Sequence, residues 1–170
     1  DLPKYTDLFT DPEDPSKARF MNCPSGWTCE IFNTRLLKNT GLDSLYNNVH
    51  PGTGAALDAE IASAFEQHKP LLFYYWQPTG LMAKYDFAPL AFPAHQDECW
   101  QDLLLADGTM DCVSGFPVSP LGIAVSTPFI TSNPELADVF KKVQFSPDEL
   151  NGAILEMSES KRSGEEQALV

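Results

Sequence analysis

The stretch "LLFYYW", Leu71–Trp76, lies between Pro70 and Pro78. It is continuous, apolar and aromatic, and the flanking prolines bound it on both sides. That combination predicts a buried strand. Just before it, Leu57, Ile61, Ala64, Phe65 and His68 recur at three- and four-residue spacing. This is the period of an amphipathic helix, predicted over Ala55–Lys69 and stopped by Pro70. Further upstream, "ARFMN" (Ala18–Asn22) reads as a second strand. "CEIFNTRLLKNTG" (Cys29–Gly41) reads as a helix, with Ile31, Leu36 and Leu37 on its apolar face, Thr28 at its N-cap and Gly41 at its end. "LDSLYNNV" (Leu42–Val49) is expected to be a further short helix, and "HPGTG" (His50–Gly54) a turn. Strand, helix, helix, strand predicts an α/β fold with a parallel-rich sheet flanked by helices.

Beyond Trp76 the pattern is looser. One more strand is expected near Phe87–Phe92, then a polar excursion over Asp97–Asp111, then a strand at Gly122–Ser126. "NPELADVFKKV" (Asn133–Val143) and "SPDELNGAILEM" (Ser146–Met157) read as helices, each with a proline near its first turn. "SESKRSGEEQ" reads as a charged surface tail or helix.

The chain has 170 residues, 43% of them hydrophobic, which suits one compact domain or one lobe of something larger. A net charge of −13 argues against DNA, RNA or anionic lipid as partners, because phosphate binding needs clustered Lys and Arg. No run approaches the roughly 20 apolar residues of a membrane span. Asp1–Leu8 is charged from its first residue and does not read as a signal peptide. "PGTG" (Pro51–Gly54) lacks the lysine of a phosphate loop, so no nucleotide cofactor is expected.

The four cysteines fall into two local pairs, Cys23 with Cys29 and Cys99 with Cys112. That arrangement fits two disulfides and an oxidising compartment, with a metal site or free thiols as the other readings. Zinc favours tighter C-x₂-C spacing with His nearby, and His50, His68 and His95 are scattered, so no metal is expected.

Two kinds of chemistry compete. A thiol enzyme would use Cys29, its pKa lowered at a helix start, with His50 or His68 as base. A binding site would use Trp27, in the loop before a helix, and Trp76, at the end of a strand. Both sit where open α/β sheets place ligands. Tryptophan offers the best face for a quaternary ammonium, and the Thr28 and Cys29 amides at a helix start suit a carboxylate. One loop would then hold both ends of a zwitterion. In the plainer reading, Trp27 and Trp76 are core aromatics. Tyr74 and Tyr75 alternate, so one faces the cleft and one the core, and Tyr75 is assigned to the site. Trp100 reads as loop packing.

The segments "GWTCE" (Gly26–Glu30), "KPLLFYYWQP" (Lys69–Pro78) and "GFPVSPLGIAVS" (Gly115–Ser126) resemble the glycine betaine/proline betaine-binding proteins of osmoprotectant ABC importers. Their order and spacing match over Lys17–Met157. The resemblance implies a two-lobed periplasmic-binding-protein-like architecture that closes on its ligand, in the periplasm or outside the cell on a membrane anchor. It implies capture of a glycine betaine-like molecule, delivery to a membrane permease and no catalysis. Trp27 and Trp76 fall on two walls of the family's aromatic box, the backbone amides of Trp27, Thr28 and Cys29 on its carboxylate cradle, and Cys23–Cys29 on its small disulfide loop.

There are departures. Family members are much longer, and their N-terminal half, with a further aromatic wall, has no counterpart here. Thr28 stands where a relative carries Gly, "QPTGLM" lacks a second Trp, and the Cys99–Cys112 excursion looks like an insertion. On this basis residues 1–114 are expected to form the ligand-binding middle lobe, residues 115–126 a crossing strand, and residues 127–170 helices of the other lobe. Those helices, left without partners, would favour a dimer. A choline or carnitine binder and a secreted thiol enzyme using Cys29 are the alternatives.

Overall fold

The computed structural model describes residues 1–105 and 107–169; Ala106, in the excursion, and Val170, at the end of the C-terminal segment, lie outside them. In chain order the elements are β1 (Ala18–Met21), α1 (Thr28–Asn39), β2 (Tyr46–Val49), α2 (Gly54–Glu66), β3 (Leu72–Phe73), α3 (Gly80–Lys84), α4 (Asp97–Leu103), α5 (Thr127–Ser132), α6 (Pro134–Phe140), α7 (Pro147–Ser160) and α8 (Gly164–Gln167). No described helix is long and apolar enough to cross a membrane. The chain divides into two packed units. One joins Asp1–Trp76 to Phe87–Phe116, and the other joins Gln77–Asp86 to Pro117–Val170.

The first unit is built on a parallel sheet of order β2-β1-β3. This is the α/β class expected of one periplasmic-binding-protein-like lobe. The β1–α1–β2 crossover moves from the central strand to one edge, and β2–α2–β3 runs back the other way, past β1 to the opposite edge. Right-handed connections in that order place α1 and α2 on opposite faces. The switch point lies between β1 and β3, so a crevice opens beyond the ends of those two strands. The chain segments entering it are Asn22–Trp27 and Tyr74–Trp76. On the α2 side, Leu57 and Ile61 bury against Met21, Val49 and Phe73. On the opposite face of the sheet, Ala18, Tyr46 and Leu72 form a second cluster, with the Tyr46 hydroxyl donating to Leu2 O at 2.8 Å.

Four expectations change. Leu42–Val49 is not a helix: after Gly41, at φ 69°, a short 3₁₀ turn at Leu42–Ser44 leads straight into β2. Asn47 and Asn48 weaken a helix and here spend their amides on other segments, Asn47 on Asp11 and Asp14 and Asn48 on Thr34. Phe87–Phe92 forms no ladder. Pro89 interrupts it, and Phe87 instead meets Phe73 edge-to-face at 5.1 Å. Gly115–Ser126 forms no strand either, because Pro117 and Pro120 remove two amide donors within four residues. The strand at Leu71–Trp76 is shorter than expected. Only Leu72 and Phe73 are in the ladder, although the Tyr74 N–H still donates to Met21 O at 2.9 Å.

An acid-sensitive clasp ties the N-terminal segment to the sheet. Asp11, 3% exposed, accepts from Glu13 N–H (3.0 Å), Asn47 (3.0 Å) and Arg19 Nε (2.9 Å). Burial alone would raise its pKa, but these hydrogen bonds and the Arg19 charge outweigh burial and bring it down to about 2. A depressed carboxylate stabilises the fold fully above its unfolded pKa, and the contribution drains away as pH falls through the folded value. The urea midpoint should therefore decline from about pH 4 to about pH 2, and Asp11→Asn should flatten that decline. An identical acid limb in Asp11→Asn would show that the clasp contributes nothing.

In the second unit, α3 packs on α7. The Thr79 N–H donates to Oδ1 of buried Asn151 at 2.6 Å, and a Cβ on Gly80 would stand 3.3 Å from Leu155 Cα, so the helices meet closely there. Pro134 and Pro147 do open α6 and α7, and α7 carries a reciprocal Ser146–Glu149 capping box. Phe129 stacks on Phe140 at 6.2 Å between α5 and α6.

Candidate ligand-binding site

Asn22 directly follows β1, and its fully buried side chain organises the loop. Its Oδ1 accepts from Cys23 N–H (2.8 Å) and from Asn33 Nδ2 (2.8 Å), and its Nδ2 donates to Asn48 Oδ1 (3.0 Å). One amide thus joins the strand end, the start of α1 and the neighbouring strand β2. Cys23 and Cys29 are disulfide-bonded and close the loop between them. Gly26, at φ 87°, makes the turn into α1, a conformation L-residues rarely adopt.

Trp27 then occupies the N-cap of α1 in an extended conformation, with no side-chain cap. Its own N–H donates to Pro24 O at 3.2 Å, so the Trp27 amide, expected in the cradle, is spent inside the loop. The N–H groups of Thr28 and Cys29 find no acceptor among the described residues. They are the unpaired donors of a twelve-residue helix, at the positive end of its dipole.

These amides border an open cavity of about 480 Å³ lined by Gly26, Trp27, Thr28, Cys29, Tyr74, Trp100 and Phe116. Trp27 remains 41% exposed. Trp76 meets it edge-to-face at 5.5 Å and stacks beside Tyr74 at 6.4 Å, one ring beyond the lining. Tyr75, the tyrosine assigned to the site, is turned the other way. Its hydroxyl donates to Asp58 on α2 at 2.7 Å, and its ring packs with Met21 and Ile61. Tyr74 takes the cavity position, because successive side chains of an extended segment point to opposite faces. Burial pushes the Tyr74 phenol pKa up, which keeps it a neutral donor.

Trp100 and Phe116 were missed in the sequence. The sequence reads Trp100 as loop packing and places Phe116 in a strand. Their rings meet each other at 5.4 Å, and each packs on Phe32 of α1, at 4.5 and 4.4 Å. The isolated aromatics of "GFP" (Gly115–Pro117) and "CW" (Cys99–Trp100) carry no periodic signal that would find them.

The thiol-enzyme reading falls here. All four cysteines are paired, Cys23 with Cys29 and Cys99 with Cys112, so Cys29 offers no thiolate. A second hydrogen-bonded set, Ser114, His95 and Asp97, has the residue types of a hydrolase triad but the wrong geometry. Ser114 is fully buried, its Oγ accepting from Gln96 N–H at 3.0 Å and donating to Gly115 O at 2.9 Å. His95 spends Nδ1 on Gly115 O (3.0 Å) and Nε2 on Asp97 (2.9 Å). The Gly115 carbonyl, with Asp97, raises the His95 pKa. The set pins the start of α4. Among the described residues no cluster of His, Cys, Asp and Glu is placed to hold a metal.

What the cavity offers is a polarised pair: donors for an anion at one place, and ring faces for a cation around it. Comparison with known proteins supplies the chain's relatives. The chain is 27% identical over 168 residues to the glycine betaine/proline betaine-binding periplasmic protein of Escherichia coli (strain K12) and 27% identical over 170 residues to its counterpart in Salmonella typhimurium. It is 26% identical over 168 residues to the glycine betaine-binding periplasmic protein OusX of Dickeya dadantii. Each match covers 95% of this chain, which spans about half (49%) of the length of these relatives. The family model for the substrate-binding domain of the ABC-type glycine betaine transport system matches residues 1–169, and the chain belongs to that family.

Proposed function

We propose that this chain carries part of the binding site of a solute receptor that captures a quaternary-ammonium zwitterion such as glycine betaine or proline betaine, in the periplasm or outside the cell, and hands it to the permease of an ABC importer. The reading rests above all on one juxtaposition: the unpaired Thr28 and Cys29 amides open onto the same cavity as the exposed face of Trp27. A trimethylammonium group accepts and donates no hydrogen bonds, so ring quadrupoles are what can hold it, and Trp27 with Trp76 supplies them. The carboxylate goes to the helix start, where the dipole and free N–H groups favour an anion.

Calorimetry on the full-length protein with glycine betaine, proline betaine, choline and carnitine tests the proposal. Glycine betaine and proline betaine should bind tightest. Choline, which keeps the cation but lacks the carboxylate, should bind at least about 10-fold more weakly, the worth of a hydrogen bond to a charged group. Choline binding as tightly as glycine betaine would remove the carboxylate from the site and favour a choline receptor.

A further inference from the structure

We propose that Trp100 is a ligand-contacting ring of this cavity, one that sets selectivity for the fully methylated ammonium, delivered there by the disulfide-closed segment Cys99–Cys112. The inference rests on the reading of the cavity as a cation site. It adds a wall from a segment that looked like loop packing.

The segment is built to hold a position. Cys99 and Cys112 tie its ends, with Cα atoms 5.9 Å apart. Inside it, Asp102 accepts from the N–H groups of Thr109 and Met110, each at 3.0 Å, and pairs with Arg35 Nη2 at 3.1 Å. Arg35 also donates to Gly108 O, and Asn39 Nδ2 donates to Met110 O (3.0 Å) and Cys112 O (2.9 Å). Arg35 and Asn39 both belong to α1. Cys99 and Leu103 bury against Phe32 and Leu36 of the same helix. The helix whose first turn presents the free amides is therefore also the bed on which α4 lies. Trp100 is held in fixed register with the anion end of the site.

The ring itself is seated against Phe32, Phe116 and His95, with centroids at 4.5, 5.4 and 5.8 Å, yet it is only half-buried and still borders the cavity beside Trp27 and Thr28. A tryptophan that only filled the core would not line open space. Two tryptophans around one cavity suit a cation whose charge is spread over methyl groups, because each ring can contact a different methyl. A dimethylated amine replaces one of those methyls by an N–H that prefers water.

The test compares glycine betaine with dimethylglycine by calorimetry on the full-length protein, in wild type, Trp100→Phe, Trp100→Ala and Trp27→Ala. Trp100→Ala should weaken glycine betaine binding about 10-fold and Trp100→Phe about 3-fold, in line with the order of ring strengths. The preference for glycine betaine over dimethylglycine should shrink in both. A purely structural role would weaken both ligands equally and leave that ratio unmoved, which overturns the proposal. Wild-type affinity and ratio in the Trp100 variants, with binding lost in Trp27→Ala, overturns the Trp100 assignment alone. Failure of wild type to bind either ligand overturns the underlying reading as well. If Trp100→Ala loses its cooperative thermal transition, the ratio in Trp100→Phe decides.

Discussion

Trp27→Ala is expected to lower glycine betaine affinity by about 30-fold or more, the equivalent of about 2 kcal/mol for a desolvated cation on an indole face. The size of the effect follows from where the ring sits. Trp27 is at once the N-cap residue of the amide-bearing helix and a wall of the cavity, so the cation face and the anion donors are separated by one peptide. Its far edge rests over Gly54, where a Cβ would stand 3.3 Å from Cη2, and its flank meets Trp76. No other ring can slide into its place without moving the start of α2. Because Trp27 is 41% exposed, the substitution should leave the thermal transition nearly unchanged. Titration calorimetry alongside a melting curve checks both halves. Unchanged affinity in a normally folded variant would remove Trp27 from the site.

Phe32→Ala should produce the largest loss of stability, about 3–5 kcal/mol, as expected for emptying a phenylalanine site in a packed interior. Phe32 is fully buried and lies at the meeting point of α1, α4 and the Phe116 segment. Its ring touches both Trp100 and Phe116, so the void it leaves lies directly under two rings that line the open cavity. Urea unfolding followed by tryptophan fluorescence measures the loss, and binding should weaken along with it. A change under about 1 kcal/mol would mean that α4 and α1 are not packed through this ring.

Element type was legible wherever it depends on neighbours in sequence. Leu57 and Ile61 repeat with helical period and do face the core, Pro134 and Pro147 do open helices, and the cysteines do pair within their local sets. The Trp27 loop was legible for the same reason: a turn glycine, a disulfide and a helix start fall within eight residues. Tyr46–Val49 failed as a helix because a parallel strand gains its hydrogen bonds from β1, at a separation no local window samples.

The site divides along the same line. The sequence by itself determined the parallel α/β class and a helix start beside a tryptophan, since both are set by short-range periodicity, capping and turn chemistry. Only the tertiary structure decided that Tyr74 and not Tyr75 faces the cavity, that the Trp27 amide is used up on Pro24, and that Trp100 and Phe116 complete the walls. Those outcomes turn on one-residue differences in strand facing and on packing against Phe32 from segments about seventy and eighty residues away in the chain. The hydrophobic pattern says that such rings will be buried against something, and the closed fold says against what.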